Sequence, residues 1–365
     1  MNILVLNCGS SSLRLDLREC AEASNACGPS RAKVSVENVG GLATVHLSRE
    51  DGEPHVARVR LVDHAAAVAD AFARLADVAR IQRRSIDAVA HRVVHGGPDL
   101  TTAVRVTPAV EDEIRRYARF APGHNPAALA GMAAARANFG PSLPQVAVFD
   151  TAFHASLPWV TKLYPLPLEL SREYGLRRFG FHGLAHRHMV ERYAELTGRS
   201  EQEANLVTVQ LGNGCSACAV RRGQSFDTSM GMTPLEGLMM GTRAGDLDPS
   251  IVADLPGIAG LSPAQVAHCL HEASGLLGVS QVSRDVRDLL RLAGADDCPP
   301  QVGEPVNDGY PETPATRAQL ALDMFCFRVA KYIGAYLAAL GGAEAIVFGG
   351  GIGENSAILR ARILK

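Results

Sequence analysis

One passage of this chain occurs twice, and the second occurrence restricts the fold more than any other feature. Asn2 to Leu17 reads NILVLNCGSSSLRLDL, and Asn205 to Val220 reads NLVTVQLGNGCSACAV. Each is an apolar strand, a turn rich in Gly, Asn and Ser, and a second strand of alternating character. The copies are too far apart for a solenoid period, so they mark duplication at the scale of a domain. A chain of 365 residues with 47% hydrophobic residues can fill two cores.

The rest of each half fits an α/β reading. Strands are predicted near Val34–Val36, Thr44–Leu47, Val56–Val62, Ala88–Val94 and Val146–Phe149. Helices are predicted over His64–Gln82 (Val68, Phe72, Leu75 and Val78 share a face), Pro108–Phe120 and Pro126–Asn138. The second copy passes through an Arg222-Gly223 hairpin turn to Ser225–Asp227. It continues into helices over Ser262–Ala273 and Thr316–Leu340 and a strand over Ala345–Phe348. The expected architecture is two duplicated α/β domains, 1–150 and 151–365, around a central cleft. The first half has two late strands and the second has one, so the second copy is expected to lack its last strand.

Charge excludes some classes of function. Thirty-six basic and 38 acidic residues give a formal net charge of −2, with no long single-sign block. That is no electrostatic footprint for nucleic acid or an anionic membrane. The N-terminus lacks the pattern of a signal peptide, and no apolar run is long enough to span a bilayer. Eight scattered cysteines suit reduced thiols in a cytoplasm. Cys215-x-x-Cys218 has no second Cys/His pair to complete a zinc site, and on a strand its two members face opposite sides.

Three glycine-rich turns follow strands: Asn7-Cys8-Gly9-Ser10, Leu211-Gly212-Asn213-Gly214 and Gly349-Gly350-Gly351-Ile352-Gly353-Glu354-Asn355. Glycine lets backbone N–H groups approach a phosphate, and the third turn also opens a helix whose N-terminus favours anions. A glycine turn after a strand is often only structural, but three at equivalent places in a duplicated fold point to a nucleotide. None is a Walker A motif, and the third fingerprint glycine of a dinucleotide site would fall at Glu354. Arg92, His182 and Arg243 stand beside glycines in His91–Gly97, Gly180–Gly183 and Gly241–Asp246. Such residues in loops are usually just solvated. Flanking glycines suggest close backbone approach to a ligand, and two Arg with one His suit the charged oxygens of a transferring phosphoryl group. Asp150 ends a strand, where α/β ligand sites form, or it merely caps the next segment.

The stretches LVLNCGSSSL, HRVVHGG, VFDTAFH, RRFGFHG, LGNG, DTSMGMTPLEGLMMGTRAGDLDP and GIGENS resemble the acetate kinase family over essentially the whole chain. The resemblance implies the RNase H-like fold of the actin-like ATPase and sugar kinase superfamily, phosphoryl transfer between ATP/ADP and acetate with Mg²⁺, and a homodimer. It implies that Asn7 is linked to the metal and that Asp150, His182 and Arg243 are catalytic. Arg92 would bind the acyl substrate, with Val94, Phe181 and Pro234 walling its methyl group. Arg14, Gln210, Leu211, Gly212, Asn213, Gly214, Asp285, Val286, Arg287, Gly351, Ile352, Gly353, Glu354 and Asn355 would contact the nucleotide.

This chain departs from the family pattern at several positions. Arg14 replaces a lysine, Phe179 a tyrosine, and Leu184-Ala185 a Thr-Ser pair. Gly123 stands where the family places a leucine in the acyl pocket, which would leave room for propionate or butyrate. Family members run further at the C-terminus, so a final strand, a magnesium-binding glutamate and a last helix are expected to be missing. The alternatives are therefore a propionate or butyrate kinase, or a truncated, non-catalytic relative that only binds nucleotide.

Overall fold

The computed structural model describes residues 1–9, 11–21, 27–50, 52–77, 82–294 and 310–365. They fall into two units, Met1–Ala152 and Phe153–Lys365.

In the first unit, leucines alternate with polar residues through β1 (Asn2–Cys8) and β2 (Ser12–Cys20). Side chains on a strand alternate in direction, so one face of each goes to the core. Leu4, Leu6, Leu13, Leu15 and Leu17 are all at most 1% exposed, each contributing about 1.5–3 kcal/mol by burial. Asn7 and Arg14, opposite one another in register, therefore lie on the other face. The meander continues through β3 (Cys27–Glu37), β4 (Gly41–Arg49) and β5 (Gly52–Leu61). After α1 (His64–Asp77) come β6 (Ala88–Val93), β7 (Val104–Arg105), α2 (Pro108–Arg116), α3 (Asn125–Phe139) and β8 (Gln145–Phe149). The sheet order is β5-β4-β3-β2-β1-β6-β8-β7, with β1, β6 and β8 parallel. α1 and α3 pack against it.

The second unit begins with α4 (Trp159–Lys162), α5 (Leu168–Tyr174) and α6 (Gly183–Thr197). Its sheet is β9 (Leu206–Leu211), β10 (Cys215–Arg221), β11 (Gln224–Thr228) and a later strand, β12 (Ala345–Gly349). Between β11 and β12 lie α7 (Pro249–Ala259), α8 (Pro263–Glu272), α9 (Gly275–Ser280), α10 (Val286–Ala293) and α11 (Pro314–Leu340). α12 (Gly350–Asn355) and α13 (Ala357–Ile363) follow β12. The order β11-β10-β9-β12 reproduces the β3-β2-β1-β6 part of the first sheet, with β12 parallel to β9. No described strand of the second unit takes the place of β8. β9 and β10 are buried on both faces because α6 and α11 pack against them, which accounts for their near-continuous apolar sequence. Arg222 and Gly223 both have positive φ (51° and 74°), as a two-residue hairpin turn of type I′ requires.

Several sequence expectations need correction. The predicted helix over Pro108–Phe120 ends at Arg116, and a separate 3₁₀ turn covers Ala118–Phe120. Helix α1 is described as far as Asp77, and Val78, like Ser10 and Cys298, lies outside the described residues. The expectation of reduced thiols fails for one pair: Cys20 and Cys27 form a disulfide. Linear spacing gave no hint of it, because the register of the β2–β3 hairpin sets these two residues opposite one another. Cys8, Cys215, Cys218, Cys269 and Cys326 are free. Among the described residues, no helix is long and apolar enough to cross a membrane.

Candidate active site

On the first unit, the parallel strands β1, β6 and β8 bring their C-terminal ends side by side, the usual place for an α/β ligand site. Asn7, Arg92 and Asp150 meet there. Arg92 Nε and Nη2 donate to the two carboxylate oxygens of Asp150 at 2.9 and 2.5 Å, and Nη1 donates to Asn7 Oδ1 at 3.3 Å. Asp150 is 1% exposed, while the Arg92 side chain keeps 30% of its surface. A fork-on-fork pair fixes the guanidinium plane as well as its position. The attraction of Asp150 raises the pKa of Arg92 and outweighs its burial, so Arg92 is a permanent cation.

The loop after β6 is held rigidly. Asn125, fully buried at the start of α3, accepts from the His95 N–H and donates to the His95 and Ile114 carbonyls. The His95 ring stacks on Tyr117 with centroids 5.5 Å apart. Val94 is buried next to this loop. Arg14 is exposed, and it shares the face of Asn7 across the β1–β2 ladder.

On the second unit, His182 and Arg243 come together. A Cβ on Gly214 would stand 3.4 Å from His182 Nε2 and 3.6 Å from Arg243 Nη1, so both cation-capable side chains reach the same short stretch of the β9–β10 turn. His182 precedes α6 in the left-handed region, φ 57°. A non-glycine residue there costs about 1–3 kcal/mol and is a mark of functional sites. Its surroundings hold it in place: His154 Nε2 donates to the Phe181 carbonyl at 3.0 Å, and His182 Nδ1 lies 2.8 Å from Ser216 Oγ. Gly180 has φ +74°, and a Cβ there would collide with Thr228 and the His154 ring.

Arg243 is anchored from two sides. Its Nη1 donates to the Pro234 carbonyl at 3.0 Å. The loop that carries it is tied to the α8–α9 junction, since Leu276 N donates to Met240 O, Leu277 N to Gly241 O, Ser274 N to Thr242 O, and Thr242 Oγ1 to His271 O. Burial lowers the pKa of Arg243, partly offset by the carboxylate of Glu272. Further along the same loop, Arg178 donates to the carbonyls of Thr228, Ser229 and Met230 and to Glu236, which also accepts from Tyr164. Phe181 is 1% exposed and its carbonyl faces inward to His154.

Two of the glycine turns adjoin. Parallel pairing of β12 with β9 sets Gly349 opposite Gln210. The Gln210 amide runs along the Gly349–Gly350 backbone, 2.7 Å from where a Gly350 Cβ would be. Leu211 is buried, Gly212 and Gly214 are half-buried and Asn213 is exposed. Gly241 N donates to Asn213 O, which ties this turn to the Arg243 loop. Gly351, Ile352, Gly353, Glu354 and Asn355 form α12, where Glu354 accepts from Gly350 N and Asn355 donates to Gly351 O. Asp285 caps α10 and pairs with Arg287, which holds the Asp285 carboxyl down at about 2. Val286 is buried behind them. Among the described residues, no hydrogen bond links 285–287 to the glycine turns.

Among the described residues, no three His, Cys, Asp or Glu side chains form a metal cage. A nucleotide-borne Mg²⁺ needs only one or two protein oxygens beside phosphates and water. Asn7 Oδ1 and the Asp150 carboxylate, brought together by Arg92, are oxygen donors of that kind.

Sequence reasoning missed the residues behind the site. His154, His186, Ser216, Arg178, Glu236 and Tyr164 support His182 and the Arg243 loop, yet none is spaced so as to announce it. Arg178 and His154 do fall within the RRFGFHG and VFDTAFH stretches.

Residues 2–365 match the model of the acetokinase family. The acetate kinase of Chloroherpeton thalassium is 43% identical over 383 residues, covering 100% of this chain and 86% of that protein. The crystal structure of Porphyromonas gingivalis acetate kinase superposes with a TM-score of 0.85 at 37% identity, covering 99% of this chain and 86% of the other. A propionate kinase from Francisella tularensis superposes with a TM-score of 0.86 at 36% identity, again covering 99% and 86%.

Proposed function

The chain belongs to the acetokinase family, and from that membership we propose that it carries out reversible phosphoryl transfer from ATP to acetate, giving acetyl phosphate and ADP. The observation that carries this reading is the meeting of His182 and Arg243 over Gly214, beside the paired glycine turns.

A carboxylic acid is already ionised at neutral pH, so the acceptor needs no general base. The chemistry is then positioning plus charge compensation. On the first unit, Arg92 offers its exposed edge to the carboxylate, and Asp150 holds the guanidinium plane instead of abstracting a proton. Val94, on the loop that follows Arg92, contributes apolar surface to the methyl group. On the second unit, Arg243 and His182 donate to the equatorial oxygens of the moving phosphoryl group. The Gln210–Gly214 and Gly351–Asn355 turns place backbone N–H groups against the nucleotide phosphates, and Asp285–Arg287 add contacts from the same unit. Mg²⁺ bound with the nucleotide would neutralise phosphate charge, with Asn7 and Asp150 as its protein oxygen donors.

The proposal includes a homodimer and a cytoplasmic location. Cell fractionation tests the latter and sedimentation the former. The enzymatic test is a coupled ADP-release assay across acetate, propionate and butyrate. Turnover fastest with acetate supports the reading. Turnover fastest with a longer acid moves it to the propionate kinase side, where Gly123 points. Nucleotide binding without turnover on any acid overturns it.

A further inference from the structure

A line of hydrogen bonds runs behind His182 into the core of the second unit. His182 Nδ1 is 2.8 Å from Ser216 Oγ, Ser216 Oγ is 2.8 Å from His186 Nε2, and His186 Nδ1 is 2.8 Å from Thr208 Oγ1. Ser216, His186 and Thr208 are each 0% exposed. His186 comes from α6, Ser216 from β10 and Thr208 from β9, so three elements converge on one file.

Counting protons constrains this file. The Ser216 hydroxyl has one hydrogen and two imidazole nitrogens as neighbours, so it can donate to only one of them, and the other must donate to it. His186 stays neutral, because burial, followed by the neighbouring His154 and His182, pushes its pKa well below the ordinary value. A neutral imidazole carries one N–H and one bare nitrogen, so the polarity of the whole file is set by its far end. There Thr208 Oγ1 lies 2.8 Å from His186 Nδ1 and 3.5 Å from the Cys218 carbonyl, with the Cys218 thiol, a weak acceptor, as a further neighbour. An O–H donor bonds best near 2.8 Å and hardly at 3.5 Å, so its hydrogen goes to His186. His186 Nε2–H then donates to Ser216, and Ser216 donates to His182 Nδ1.

We propose that Thr208, His186 and Ser216 are positioning residues that hold His182 as the neutral Nε2–H tautomer, so that it presents a hydrogen-bond donor, not a base, at Gly214. The Arg243 guanidinium at the same place favours this form, since a second cation beside it would be repelled. His154 reinforces the arrangement from the side. Its Nε2–H donates to the Phe181 carbonyl, its Nδ1 lies 2.7 Å from Ser225 Oγ, and its ring meets that of His186 edge-on at 5.7 Å. For phosphoryl transfer this deepens the proposed function and rests on it, but the tautomer itself is a property of the folded chain alone.

The test uses the full chain labelled with ring-¹⁵N histidine, with the His182 and His186 signals assigned by His182→Gln and His186→Gln. At mildly alkaline pH, the expected spectrum shows both rings protonated at Nε2 and bare at Nδ1. Ser216→Ala should convert His182 to a mixture of tautomers and lower kcat about tenfold with KM little changed, and Ser216→Thr should restore both. Thr208→Val, which keeps the shape of a buried side chain, tests the far end if Ser216→Ala does not fold. It should release the His186 tautomer and with it that of His182. A wild-type His182 protonated at Nδ1 overturns the inference, as does a Ser216→Ala or Thr208→Val protein with unchanged tautomers. The expected spectrum from a protein that turns over no short acid supports the file and overturns only the proposed function.

Discussion

His182 Nε2 and Arg243 Nη1 stand 3.4 and 3.6 Å from one point, the place a side chain at Gly214 would occupy. The two groups come from distant parts of the chain, one at the start of α6 and one in the loop before α7. Gly214→Ala fits by ordinary contact, so the fold should survive, with a melting temperature within a few degrees of the parent. The added methyl would nevertheless occupy the space both donors face. Misplacement on this scale costs up to about 10²-fold in rate, so kcat should fall steeply in a steady-state assay while ATP binding by calorimetry persists. An Ala variant with full activity would show that the space is not used.

Arg243→Ala should lower kcat about 10²–10³-fold, the cost of losing one preorganised donor to transition-state charge. KM for the acid should change much less. Equal changes in both would mean that Arg243 binds ground state and transition state alike.

Both carboxylate oxygens of Asp150 accept from Arg92, which holds them as ionised acceptors. Wild-type turnover should therefore show a solvent isotope effect near one and no carboxylate step that tracks proton transfer. Asp150→Asn puts an N–H group against the guanidinium, so kcat should drop and the Mg²⁺ concentration for half-maximal rate should rise. A large isotope effect that vanishes in Asp150→Asn would instead make Asp150 a base.

His91 is 1% exposed and bonded to Gln145 at 2.7 Å. Burial brings its pKa from 6.5 down to about 4, against the opposing effect of the Gln145 bond. The folded value lies below the unfolded one, so the unfolded chain takes up the proton first. The stability tied to neutral His91 is complete above pH 6.5 and is lost as the pH falls towards 4, a swing of about 3 kcal/mol. Urea unfolding between these pH values should show that loss, and His91→Gln should flatten it.

Much of this architecture was legible because the duplicated strand–turn–strand passage forecast two related sheets, and the order around β9 does match that around β1. Asp150 was legible because it ends an apolar run, which puts it at a strand terminus, and Arg92 stood near glycines, whereas the role of Asn7 came only from the family resemblance. His182 and Arg243 were flagged by flanking glycines. What stayed hidden depends on pairing across long sequence separations. The Cys20–Cys27 bridge follows from hairpin register, β7 is only two residues long, and Thr208 reads as any β-branched strand residue. The purpose of His186 emerges only when α6 lies on β9 and β10. Arg178 looks like a surface charge until the loop it clamps is folded around it.

The parallel pairing of β12 with β9 also says something about how the protein is made. Gln210 leaves the ribosome well before Gly349, and everything from β10 to α11 is synthesised between them. During that interval the edge of β9 that will receive β12 has no partner, so an apolar strand waits with its hydrogen-bonding groups open. Such edges are where nascent chains mispair. The glycine turns after β9 and β12 can come together only after β12 docks. Slow translation through α7–α11 would thus prolong a stage vulnerable to aggregation, and an early-binding chaperone would have the exposed edge of β9 as its target.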